Sequence, residues 1–195
     1  MKIEQAKELL AKYVTGETLL RHCVTVSAAM RYWAELLGEE DPEFWECVGM
    51  LHDIDFEKYP EQHCVKVKDI LEAEKEHYPD GKGGSLITGE MIHAIQSHGW
   101  KICCDVEPAV PMEKVLYTVD ELTGLIFACA MARPSKSVMD MELKSVVKKF
   151  KTKSFAAGCN RDIIEEGAAM MGRDLNDIIW NCVLAMRARH EECGV

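Results

Sequence analysis

The chain has 195 residues, 48% of them hydrophobic, enough to bury a sizeable core as a single domain. Its formal net charge of −10 excludes broad binding to nucleic acid or to an anionic membrane, since each needs a basic face. The opening MKIEQAKELLAKYV is amphipathic and charged, unlike a signal peptide, and no stretch nears the roughly 18 apolar residues of a membrane span.

Apolar residues recur at intervals of three and four, and alternating strand-like runs are absent, so an all-α domain is expected. In chain order the spacing predicts helices over about 2–13, 17–37, 42–54, 61–77, 86–98, 111–131, 138–149, 160–171 and 174–191. The breaks fall at Gly16, Gly38 with Pro42, Pro60, Pro79 through Gly84, Pro108 with Pro111, Pro134, Gly158 and Gly172. The nine cysteines are scattered, with no CxxC pair, and Cys23, Cys47, Cys129 and Cys182 fall within apolar helical patterns. They fit a reduced, cytoplasmic protein better than a disulfide framework. Adjacent Cys103 and Cys104 could join His98 around zinc, but neighbouring thiols have poor geometry for that.

Residues three, four and seven apart share a helical face, and this sorts the seven histidines. His22 shares its face with Val26, Ala29 and Trp33, and His52 follows Trp45 and Val48. His63 precedes Val67 and Ile70, while His98 follows Met91, Ala94 and Ile95. Asp120 lies between Leu116 and Phe127, and Asp53 stands beside His52. By the same spacing His93 faces solvent, His77 closes a charged helix and His190 sits near the tail; none of these three is expected to be a ligand.

A buried carboxylate must be neutralised, paired or given a cation. Few basic residues lie near Asp53 and Asp120 in sequence, and a divalent metal would satisfy carboxylates and imidazoles together. Imidazole and carboxylate donors without thiolate suit Mn, Fe, Co, Ni or Zn, and Mg less well. Six donors exceed the needs of one catalytic ion and fit two that share a bridging carboxylate.

The set reads His22 in LLRHCVTV, His52–Asp53 in MLHDIDFEKYP, His63 in EQHCVKVKDIL, His98 in AIQSHGW and Asp120 in YTVDELTGL. This H…HD…H…H…D pattern resembles the HD-domain superfamily of metal-dependent phosphohydrolases, in particular its small stand-alone HDIG-type proteins. The resemblance covers about residues 17–130 and implies an HD-domain helical bundle, leaving about 131–195 as a C-terminal helical extension. It also implies that Asp53 bridges two metals, with His22, His52 and Asp120 completing one site and His63 and His98 serving the other. A mononuclear form using His22, His52, Asp53 and Asp120 stays open. Where the family label has glycine, this chain has Asp55, either a polar helix-end residue or one that orients a ligand.

From Arg133 to Arg161 the acidic chain turns basic, around LKSVVKKFKTKSF. Lys144, Lys148, Lys153 and Arg161 are the candidates for holding an anionic substrate, against the plainer reading of a solvated face. The expected activity is hydrolysis of a phosphate ester, of a nucleotide or another small phosphorylated molecule, by metal-activated water, with Asp53 as bridge and candidate proton acceptor. Two alternatives stay open, a di-iron oxygenase with the same six-residue set and a non-catalytic nucleotide-binding module.

Overall fold

The computed structural model describes residues 1–195 as ten α-helices with no strand. The helices are α1 (Ile3–Ala11), α2 (Glu17–Leu37), α3 (Pro42–Leu51), α4 (Lys66–Glu74), α5 (Gly89–Ser97), α6 (Pro111–Met131), α7 (Leu143–Phe150), α8 (Arg161–Met171), α9 (Leu175–Ala188) and α10 (His190–Cys193). The two long helices, α2 and α6, have the predicted bounds because the chain marks their ends strongly. Gly38 adopts a left-handed conformation (φ +74°) that closes α2, and Pro111 occupies the first turn of α6.

Elsewhere the prediction ran long. The span 61–77 is broken into a 3-10 turn at Pro60–Gln62, a loop carrying His63 and Cys64, and the shorter α4. Cys64 has φ +63°, which no helix accommodates. The span 138–149 begins as turns, and α7 starts only at Leu143.

Helix α2 runs through the middle of the molecule against α3, α6, α9 and α10, while α6 also packs on α8. One apolar core of 49 buried residues runs from Ala6 to Val195, so the C-terminal helices share it with α1 to α6. The backbones of α2 and α3 approach closely because Gly49 lacks a side chain. A Cβ there would stand 2.8 Å from Met30 Cγ and 2.9 Å from Ser27 Cα. Ser27 reinforces the crossing by donating its hydroxyl to the Glu46 carbonyl at 3.0 Å. The buried Glu46 carboxylate in turn accepts from Arg31 at 2.7 Å and Arg189 at 2.6 Å, tying the C-terminal segment to this crossing. No helix is long and apolar enough to cross a membrane.

Candidate metal centre

Two helix ends aim histidines at one point. His52 follows the last residue of α3 and His98 the last residue of α5. Each turns back so that its Nδ1 donates to a carbonyl of its own last turn, His52 to Gly49 at 2.8 Å and His98 to Ile95. A terminal carbonyl that lacks an intrahelical partner is thereby satisfied. Because a carbonyl only accepts, Nδ1 carries the proton and, in the neutral ring, Nε2 is left as an outward lone pair.

His63 reaches the same state by another route. Its Nδ1 donates to Asp55 Oδ1 at 2.7 Å, while Asp55 Oδ2 accepts from the Val67 amide at 2.9 Å in the first turn of α4. Asp55 is fully buried and so has both roles, orienting an imidazole and capping a helix. His63 was expected on a helical face with Val67 and Ile70; it stands instead in the loop before α4, and Asp55 brings it inward.

The six residues of the pattern converge. His22 Nε2 lies 2.8 Å from Asp120 Oδ1 and 3.1 Å from His52 Nε2, and the latter is 3.4 Å from Asp120 Oδ1. On the other side His63 and His98 bring their Nε2 atoms within 3.1 Å of each other. Asp53 stands between the groups and divides its oxygens. Oδ2 faces His22 at 3.6 Å and His52 at 3.4 Å, whereas Oδ1 faces His63 at 3.4 Å and His98 at 3.7 Å. Ligands held at about 2.0–2.2 Å by one ion stand roughly 3–3.6 Å from one another, and the separations in the two groups, 2.8–3.6 Å and 3.1–3.7 Å, lie in or next to that range. His63 and His98 also present two lone pairs to each other at hydrogen-bonding distance, an arrangement that asks for a cation between them.

The electrostatics agree. Burial alone would raise the pKa of Asp53, but His52, His98 and His22 outweigh it and hold the carboxyl below its ordinary range. Asp120 is likewise pulled well down against its burial, chiefly by His22 and His52. Burial lowers the pKa of His22, His63 and His98, yet their carboxylate partners reverse this and leave all three raised. Two side-chain groups are thus close enough to hold a metal ion, His22–His52–Asp120 and His63–Cys64–His98, with the atoms of each within 4.8 Å of one another. In the second group the Cys64 sulfur is 3.5 Å from His98 Nε2 and 3.9 Å from Nδ1. Such similar distances place it beside the ring and off the Nε2 lone-pair axis.

A cavity of about 790 Å³ opens on this centre, with His22 and Asp53 in its wall. Leu19, Phe56 and Phe127 give it apolar surface, and Arg21 is its one lysine or arginine. The Arg21 guanidinium lies over the Phe127 ring at 5.8 Å. Arg21 stands directly before His22 in LLRHCVTV and is one of the few basic residues near the pattern in sequence, but it is not among the sequence-based candidates for holding substrate.

The basic segment lies away from this cavity. None of Lys144, Lys148, Lys153 and Arg161 lines the cavity. Lys144 is 85% exposed and pairs with Glu142 at 2.8 Å. The Arg161 guanidinium donates to the carbonyls of Phe150, Phe155, Ala156 and Cys159, so it pins the loop before α8 and is not free for an anionic ligand. His77 and His190 stand outside the cluster, and half-exposed His93 pairs with Glu113 at 2.6 Å.

No protein-family model, curated protein or solved structure matches this chain.

Proposed function

We propose that the chain is a metal-dependent phosphohydrolase of the HD-domain type, acting on a nucleotide or another small phosphorylated molecule. The division of the Asp53 carboxylate between two groups of imidazoles supports this reading most directly. His22, His52, Asp120 and Asp53 Oδ2 would hold one divalent ion; His63, His98 and Asp53 Oδ1 would hold the other. Such ions supply Lewis-acid stabilisation of phosphoryl oxygens and lower the pKa of water toward neutrality.

The chain's own residues do the remaining work. Gly49, Ile95 and Asp55 fix the ring orientations of His52, His98 and His63 before any ligand arrives. Both Asp53 oxygens face imidazoles, so its carboxylate would bridge the two positions. Arg21 offers a charge-assisted hydrogen bond to a substrate phosphate. Leu19, Phe56 and Phe127 exclude water and accept the apolar part of the substrate, in a cavity of a size usual for small-molecule ligands.

A panel of nucleotides and other phosphate esters, assayed with added Mn, Co or Fe, tests the reading. Phosphate release that is lost on chelation is expected. Tight nucleotide binding without turnover would instead favour a binding module, and iron-dependent oxygen uptake with no phosphate release would favour the oxygenase.

A further inference from the structure

Three thiols meet beside the His98 ring and have no part in the proposed hydrolysis. Cys64 is fully buried, Cys104 partly so, and Cys103 is exposed. Gly99 makes the meeting feasible. A Cβ on it would lie 2.4 Å from Cys64 Sγ and 2.5 Å from Cys103 Sγ, so the two sulfurs fill the space a side chain would take. Cys104 also brings its sulfur to Cys64, but its thiol proton is engaged by the Gln96 carbonyl at 3.1 Å. The left-handed backbone at Cys64 (φ +63°) is uncommon for a residue with a side chain and accompanies burial of this sulfur beside the exposed Val65.

We propose that Cys64 and Cys103 form an oxidisable pair, a site where hydrogen peroxide introduces an intramolecular disulfide next to the His63–His98 group. Exposed Cys103 reacts first. Its sulfur attacks a peroxide oxygen, forming an S–O bond and breaking O–O, and the departing oxygen takes the thiol proton to leave as water. Cys64 then attacks the Cys103 sulfur, forming S–S and breaking S–O, and the hydroxyl leaves with the Cys64 proton as a second water. Two thiols and one hydrogen peroxide thus give one disulfide and two waters.

The consequence follows from chain neighbours. Cys64 adjoins His63, and Cys103 lies in the turn that follows His98. Drawing the sulfurs to the about 2.05 Å of an S–S bond pulls on both segments. The oxidised chain therefore holds an ion less well between His63 and His98.

The test treats fully reduced protein with hydrogen peroxide, alkylates the remaining thiols and maps the peptides by mass spectrometry. The expected product is a Cys64–Cys103 crosslink that consumes two of the nine thiols, is reversed by dithiothreitol, disappears in Cys103→Ser and persists in Cys104→Ser. A vicinal Cys103–Cys104 bond, an intermolecular crosslink, a sulfinate at Cys103 or no reaction would overturn the pair. Titration of reduced and oxidised protein with Mn(II) checks the consequence. A weaker second binding event after oxidation, by about tenfold, is expected, and equal affinities would overturn the link to the centre. Peptide mapping needs no metal, so a chain that binds none would refute the proposed phosphohydrolase while the disulfide is judged on its own map.

Discussion

Asp55 shows how much a single side chain can carry. It donates no apparent ligand atom, yet its two oxygens fix His63 and start α4. Asp55→Ala should weaken metal binding by about 10–100-fold, the usual cost of losing such an orienting partner, with the loss confined to one of two ions. Undiminished affinity for both would show that His63 needs no such partner. The histidines also set a pH dependence. His22, His63 and His98 have pKa values raised above 6.5 in the fold, so protons bind more tightly to the folded chain. Their stabilisation is complete below 6.5 and is lost as pH rises through the raised values. An ion competes for the same lone pairs, so its affinity must change in the opposite direction. Chelator-treated protein should therefore gain thermal stability as pH falls through the raised values to about pH 6.5, while Mn(II) affinity falls over the same window. A metal-free protein that loses stability across that window would contradict the assignment.

Among the elements, α2 and α6 were legible because glycine and proline mark their ends, and His22 and Asp120 could be assigned to their buried sides by spacing alone. The region after α3 was not, since its geometry depends on long-range hydrogen bonds and on a left-handed cysteine that no local pattern signals. His63 was selected from a helical face it does not have, and it reaches the centre because Asp55 holds it there. The α2–α3 crossing is the element on which the distance between His22 and His52 depends. Gly49→Ala would force a Cβ against the Ser27 backbone and should cost about 1–3 kcal/mol, lowering Tm by several degrees. It should also weaken the ion held by His22 and His52. Gly89→Ala meets nothing within 4 Å and serves as the control that should leave both properties unchanged. Equal effects of the two variants would mean that the close crossing is not what sets the site.

Across the whole molecule, the charge pattern in the sequence drew attention to cations that do not line the cavity beside the centre. A run of lysines is conspicuous in a chain of net charge −10, but spacing cannot say whether its charges meet solvent, a backbone carbonyl or a cavity. The fold places Lys144 in solvent, binds Arg161 to four carbonyls and leaves Arg21 alone beside the centre. Arg21→Ala should thus raise KM about 10–100-fold for a phosphorylated substrate, equivalent to about 1–3 kcal/mol for a hydrogen bond to a charged group. Lys144→Ala and Lys148→Ala should leave KM within about twofold, as surface changes usually do. The opposite ranking would move the phosphate site to α7. The central claim, that Asp53 joins two metal positions, is tested most directly by elemental analysis of protein purified without chelator. Between one and two transition-metal ions per chain should be present, falling close to zero in Asp53→Ala and unchanged in His93→Ala. Wild-type protein with no bound metal, and with no rise in Tm on adding Mn or Fe, would contradict it.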